Sequence, residues 1–246
     1  MKLTNATWEE RNSGLKTCEI LFEKGDTIED FRFFNFKDDF KYFVAKVSSE
    51  NIKLVHYLEE CGFRYIETQF NISVATEELE KIDKKWLKII EGTDYIKMTR
   101  ENDLADILSN VGAGLFENDR ISLDDNLGKV VSALRYTNWI KDLFKDKKSE
   151  LFYLTKQSKK VGFFVIQKHS KYTINSVIAG IFKPYQGQGL SVALIYYYLK
   201  LASVKGVKQS VTSFSSNNLS MLNTFTKVVS FKVLNVYYVL NKKLEN

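Results

Sequence analysis

The stretch Pro184-Tyr-Gln-Gly-Gln-Gly-Leu-Ser191 holds the residue types and spacing in this chain best able to do chemistry. Upstream, residues 172–182 (YTINSVIAGIF) are β-branched and apolar, as a buried strand is. Downstream, residues 191–204 (SVALIYYYLKLASV) are long enough, and free of Gly and Pro, to be a helix. Gly187 and Gly189 fall at the turn that opens it. A strand, a glycine-bearing turn and a helix N-terminus make an anion cradle. Unpaired backbone N–H groups point outward there, and the helix dipole favours negative charge. Glycine also lets the main chain approach a phosphate with no Cβ in the way. The plainer reading is a turn and nothing more. Two phosphate motifs are excluded: no Lys-Ser or Lys-Thr follows the glycines, and Val192 occupies the third glycine place of a dinucleotide fingerprint.

The elements that must position this turn read as a repeated unit. Residues 208–214, 218–227 and 231–240 spell strand, helix and strand. The same order occurs earlier, at 40–48, 51–63 and 64–74, after a first strand at 15–24 and a charged, aromatic-rich connection at 26–39. Gly62 is a natural helix stop. The likeness suggests a partial internal duplication. The N-terminal unit has no glycine turn before it, so its expected role is to extend the sheet and wall a cleft. Residues 76–92 (TEELEKIDKKWLKIIEG) read as one amphipathic linking helix, with Leu79, Ile82, Trp86, Leu87, Ile89 and Ile90 on its apolar side. A strand at 95–98, a helix at 102–115, a loop at 116–124 and a helix carrying Arg135, Tyr136, Trp139 and Ile140 follow. A hairpin, 151–156 and 161–168, completes an antiparallel meander with the strand at 172–182.

The chain has 246 residues, 44% hydrophobic and 14% aromatic, which argues for a globular fold of one large or two small domains. No apolar run approaches the roughly 20 residues of a membrane span, and the polar start MKLTNATWEERNSG lacks a signal-peptide core. Cys18 and Cys61 have no metal-ligand spacing; no metal site is expected, and free thiols fit a reducing cytoplasm. The net charge of +6 would draw anionic ligands, yet the basic residues are scattered and form no stripe for nucleic acid. His56 and His169 read as surface residues.

Gln186-Gly187-Gln188-Gly189-Leu190-Ser191 resembles the acyl-CoA loop, [RQ]-x-x-G-x-[GA], of the GNAT superfamily of N-acetyltransferases. Both repeated units resemble the closing segment of that fold, Asn-x-x-Ala-x-x-x-Tyr-x-x-x-Gly-Phe. Asn51, Gly62 and Phe63 match in the first. In the second Asn218 matches, Met221 and Phe225 replace Ala and Tyr, and no Gly precedes Phe231. The order Phe116…Asp119-Arg120-Ile121…Asp124…Tyr136-x-x-Trp139-Ile140 is similar to the dTDP-fucosamine acetyltransferase group and related nucleotide-sugar N-acyltransferases.

The resemblance implies an α/β (α+β) acetyltransferase fold with a mixed central sheet. A truncated acetyltransferase-like domain and linker at 1–92 would precede an acyl-CoA-binding domain at 93–246. It implies transfer of an acetyl or somewhat larger acyl group from acyl-CoA to the amine of a nucleotide-linked amino-deoxy sugar, by direct attack. Gln186, Gly187, Gln188, Gly189, Leu190, Ser191 and Asn218 would hold the co-substrate. Backbone amides at Ile181 and Phe182 would polarise the thioester carbonyl. Phe116, Asp119, Arg120 and Tyr136 would meet the acceptor, Arg120 as a bidentate partner for its phosphate. No catalytic acid or base is assigned, because Phe225 stands where the family keeps a Tyr; a water, Tyr237 or Tyr238 could substitute. Two alternatives stay open: another small-molecule or protein amine as acceptor, and a non-catalytic CoA-binding module. The sequence leaves oligomeric state open.

Overall fold

The computed structural model describes residues 1–32 and 39–244, so part of the connection expected at 26–39 lies outside the described residues. The first half runs β1 (Lys2–Asn5), α1 (Thr7–Ser13), β2 (Thr17–Phe22), α2 (Ile28–Arg32), β3 (Tyr42–Ser48), α3 (Ile52–Glu60) and β4 (Arg64–Ala75). Next come α4 (Lys84–Ile90), β5 (Thr93–Lys97), α5 (Ala105–Gly112), α6 (Gly128–Lys145), β6 (Ser149–Lys156) and β7 (Lys159–Lys168). The chain closes with β8 (Thr173–Ile181), α7 (Ser191–Val204), β9 (Gln209–Ser215), α8 (Leu219–Val228) and β10 (Lys232–Lys243).

Among the described residues ten strands form one mixed sheet in the order β1-β2-β3-β10-β4-β9-β8-β7-β6-β5. The repeated unit is present as β3–α3–β4 and β9–α8–β10, and the two units exchange their last strands. β10 lies between β3 and β4, while β4 pairs with β9. A boundary at residue 92 therefore divides the sequence but not the sheet. β4 and β10 run antiparallel at its centre, with Gln69 opposite Tyr237 and Glu67 opposite Val239.

Alternation along the strands gives the sheet two apolar faces. On one face α7 and α8 cover Ile72, Val74, Phe164 and Phe214, and α3 covers Phe43, Ala45 and Leu240. On the other, α5 and α6 cover Leu151, Phe163, Val165 and Ile178. There α1 is tied to α6 by Asn138 Nδ2 donating to Asn12 Oδ1 at 2.7 Å, and by an Arg11–Asp142 ion pair at 2.7 Å. The hairpin turn is tight, with Gln157 and Ser158 both at positive φ, as the right-handed twist of the flanking strands favours.

Two helix expectations need correction. Residues 76–92 are not one helix but a 3-10 turn at Thr76–Lys81 and the short α4. Ile82 is extended between them, and the Asp83 carboxylate accepts from the Lys85 amide at 2.8 Å, restarting the helix. Ile82 and Ile90 still reach the core, whereas Leu87 is exposed. Likewise 102–115 divides into a 3-10 turn at Glu101–Leu104 and α5, which stops before Gly114, at φ +79°.

Candidate functional site

The two parallel pairs in the sheet differ in how far they stay zipped. β2 and β3 pair from Thr17 opposite Tyr42 to Phe22 opposite Val47, so no slot opens between them. β8 and β9 pair only from Thr173 opposite Gln209 to Asn175 opposite Val211. Beyond that point they part, with Thr212 Oγ1 donating to the Ser176 carbonyl at 2.8 Å across the base of the opening. The slot lies at the carboxyl ends of parallel strands, where ligands of open α/β sheets bind.

The end of β8 corrects one expectation. The Phe182 amide donates to the Val161 carbonyl at 2.9 Å and is not free. In an antiparallel ladder alternate residues face the partner, so the amides of Ile181 and Ala179 point the other way, into the slot. The Ile181 amide is thus left facing the slot; for Phe182 only the side chain remains, and it packs in the core.

Beyond β8, Lys183–Tyr185 make a single 3-10 turn, and Gln186 Nε2 donates back to the Ile181 carbonyl at 3.0 Å. Gly187 and Gly189 stand at φ +79° and +74°, a region L side chains rarely adopt. Among the described residues, the amides of Gly187, Gln188, Gly189, Leu190 and Ser191 donate to no backbone carbonyl. They converge on the N-terminus of α7, a helix of 14 residues anchored by buried Leu190 and Val192. A Cβ on Gly189 would stand 3.1 Å from Ile89 Cδ1, while one on Gly187 would meet nothing within 4 Å. The donors fit a pyrophosphate: several amides, a helix dipole and two glycines that add no side chain of their own. Asn218 sits on the far side of the slot, exposed, and its Oδ1 caps α8 by accepting from the Met221 amide at 3.1 Å.

Phe225 is 1% exposed, stacked on Phe214 at 5.6 Å and edge-on to Phe231 at 6.1 Å. It is a core residue. Tyr238 packs with the α3 core, and the Tyr237 hydroxyl donates to Glu23 at 3.4 Å.

The expected acceptor residues meet on the α5/α6 face. Phe116 lies against Gly180 of β8, whose imagined Cβ would come within 3.2 Å of its ring. Tyr136 sits 4.5 Å from Phe116, and Trp139 6.1 Å from Tyr136. Burial raises the Tyr136 phenol pKa above its ordinary value, and the Asp119 charge adds to the effect. Asp119 is occupied by its own turn. Its carboxylate accepts from the Ile121 amide at 2.8 Å, the Ser122 hydroxyl at 3.0 Å and the Ser132 hydroxyl at 2.5 Å.

Arg120 is the second correction. Instead of lining an open loop it is 7% exposed and ion-paired to Glu9, which also accepts from Arg135 Nε at 2.9 Å. Burial pushes the Glu9 carboxyl up, and the two guanidinium groups outweigh this, so its pKa ends below the usual carboxylate value. Arg120 is therefore engaged through Nη2 in holding α1 to the loop ahead of α6, rather than standing open in a cleft.

Glu67, Glu9 and Ser215 were not singled out from sequence. Glu67 is 7% exposed on β4, with the Ser215 hydroxyl beside it and Arg120 and Asp119 within electrostatic reach. Burial, more than any of these neighbours, sets its pKa above the ordinary value. No local signal marked Glu67: in RYIETQFNISV it alternates with Gln69, Asn71 and Ser73 on the polar side, and only the fold buries it there. Among the described residues no group of three His, Cys, Asp or Glu side chains is placed to hold a metal ion, and no helix is long and apolar enough to cross a membrane.

Solved structures share this architecture at low sequence identity. A GCN5-related N-acetyltransferase from Sphaerobacter thermophilus superposes with a TM-score of 0.59 at 12% identity, over 82% of this chain and 59% of that one. One from Kribbella flavida gives 0.54 at 11%, over 92% and 80%. A tandem GNAT protein from the clavulanic acid biosynthesis pathway gives 0.51 at 10%, over 83% and 65%. The chain thus spans less than two thirds of the Sphaerobacter and clavulanic-pathway proteins. No protein-family model and no curated protein matches the sequence. The mixed sheet, the splayed parallel pair and these superpositions give the chain the fold of the GCN5-related N-acetyltransferases, as the resemblance implied.

Proposed function

We propose that the protein is an acyl-CoA-dependent N-acyltransferase. The observation that carries this is the opening of β8 from β9 beside five unpaired amides at the head of α7. Residues 187–191 would take the pyrophosphate of CoA, with Gln186 bracing the turn and Asn218 across the slot. The Ile181 and Ala179 amides would face the thioester carbonyl, where two preorganised donors stabilise developing negative charge. The co-substrate supplies the activated acyl group; the chain supplies binding, orientation and a dry slot. The closed β2/β3 pair offers no second slot, which supports a cofactor-free role for residues 1–92 beside a binding half at 93–246. Among the described residues Cys18 and Cys61 form no disulfide, which is consistent with a cytoplasmic setting.

For the acceptor, the finer reading is the amine of a nucleotide-linked amino-deoxy sugar, bound over Phe116 and Tyr136. The Arg120–Glu9 pair favours a second reading, an amine without a phosphate at that point. Calorimetry with acetyl-CoA, followed by thiol release with sugar-nucleotide amines, glucosamine and polyamines, tests both. Micromolar acetyl-CoA binding with thiol release on an amine is the expected result. Absence of binding removes the transferase reading, and release only with phosphate-free amines selects the second.

A further inference from the structure

We infer that the strand exchange carries a catalytic residue: Glu67, from the N-terminal unit, is the group that takes the proton from the attacking amine. The inference rests on the transferase reading above and adds a residue to that site.

Position comes first. Gln69 pairs with Ser215, the last residue of β9, and the Ser216 amide donates to the Thr68 carbonyl at 2.7 Å. Glu67 thus stands just past the carboxyl end of β9, one of the two strands that open the slot. From the other strand, Gly180 is followed across the same face by Phe116, then by Tyr136, whose phenol lies within reach of the Glu67 charge. The two aromatic rings thus lead across that face from the slot toward the carboxylate. An acceptor lying on them would have its amine between the two.

The state of the carboxylate comes second. Oε2 of Glu67 is buried with no hydrogen-bond partner, an arrangement stability alone disfavours. Nη1 of Arg120 is buried and unpartnered as well. Glu9 shows the contrast: a carboxylate on the same face, satisfied by two guanidinium groups. A buried carboxylate with spare acceptor capacity, its pKa raised by burial, suits a general base. The charged or titratable groups around it are Asp119 and Arg120 from the 113–127 loop, Lys46 from β3 and Tyr136 from α6.

In the step, the amine nitrogen forms a bond to the thioester carbonyl carbon and the carbon–sulfur bond breaks, its electron pair leaving on sulfur. Glu67 accepts the proton released by nitrogen, and the thiolate takes one from solvent. Glu67 then returns its proton to solvent, and the products are an amide and a free thiol.

The test uses the whole chain with Glu67→Gln and Glu67→Asp. Acetyl-CoA affinity by calorimetry should stay within about twofold in both. With glucosamine as probe, Glu67→Gln should lose about 100-fold or more in turnover at neutral pH, since a general base contributes about 10²–10⁴-fold. Its residual rate should climb with pH as the amine loses its proton unaided, and Glu67→Asp should recover part of the loss. A Glu67→Gln rate within threefold of wild type, with the acidic limb of its pH profile unchanged, overturns the inference and leaves the transferase reading standing. A readout independent of turnover is the ¹³C signal of the Glu67 carboxyl, assigned by its loss in Glu67→Gln. It should titrate above the ordinary carboxylate range and move when glucosamine is added to protein saturated with CoA. A carboxyl that titrates in the ordinary range and ignores glucosamine overturns the inference, whether or not any amine is acylated. Wild type that does not bind acetyl-CoA overturns the transferase reading itself.

Discussion

Arg120 and Glu9, 111 residues apart in sequence, form a buried ion pair that pins α1 to the loop ahead of α6. Arg135 joins the same carboxylate from α6, so one acid is shared by two guanidinium groups. The N-terminal helix is thereby built into the face on which the acceptor residues lie. A charge that reads in sequence as a loop residue facing a cleft is part of the frame around it.

Arg120→Ala should therefore act on stability before it acts on any substrate. Removing one partner of a buried pair costs about 3–5 kcal/mol. In a chain of this size that is a fall in Tm of roughly 6–20 °C. Thermal denaturation checks it. A variant with wild-type Tm and a selective rise in acceptor KM would return Arg120 to the phosphate role.

Gly189→Glu should bind acetyl-CoA at least about tenfold more weakly, because it places a side chain and a negative charge among the amides of residues 187–191. Its φ of +74° and the Ile89 contact add local strain, so Gly189→Ala should also cost some stability. Gly187→Ala shares the positive φ but meets open space, and should be the milder of the two alanine variants. Equal acetyl-CoA affinity in folded Gly189→Glu, by calorimetry, would remove the anion cradle.

Much of this fold was legible as strings of residues. The helix at 191–204 and the strand before it stand where alternation and glycine punctuation put them, because both are buried and their patterns are strong. The linking helix failed at Ile82 and Asp83, where a capping side chain offered the backbone a better local partner than the helix did. The amphipathic pattern survived in part, since Ile82 in the break and Ile90 at the end of α4 are still buried. What the sequence could not display was pairing. Nothing local in β4 or β10 says that each leaves its own unit, and so nothing says that Glu67 stands at the end of β9. Free amides are equally hidden: Phe182 and Ile181 look alike until the ladder to β7 assigns their N–H groups to opposite sides.

Residues 93–246 expressed alone should aggregate or remain unfolded. β9 would lose its pairing with β4, and β10 would lose both neighbours, leaving long unpaired edges. Adding residues 1–92 in trans should rescue part of the soluble protein. A fragment that is monomeric and shows a cooperative thermal transition would mean that the exchange is dispensable.

Phe225→Tyr should not restore a catalytic acid. The ring is sandwiched in the core between Phe214 and Phe231, and a hydroxyl there has no evident partner. Burying it unpaired costs about 1–3 kcal/mol. A lower Tm with unchanged thiol release is expected. Faster release in the variant would show that the α8 side chain reaches the leaving group after all.

Glu9 and Glu67 should give opposite pH signatures. The folded-state pKa of Glu9 is lowered, so its stabilisation is present above the unfolded value, about 4.3, and is lost as pH falls through the lower folded value. Glu9→Gln should be clearly less stable than wild type at pH 7, and the gap should narrow in acid. Glu67 has its folded pKa raised, first by burial, so the folded chain holds that proton more tightly than the unfolded one. Its contribution is fully present below about pH 4.3 and is lost as pH rises through the raised value. Glu67→Gln should therefore match wild type near pH 4 and exceed it at pH 8, where wild type carries a buried charge with one unpartnered oxygen. Urea titrations of the three proteins at both pH values decide this. Glu67→Gln less stable than wild type at pH 8 would mean that Glu67 holds the fold together as Glu9 does, rather than being kept against stability for the work of the site.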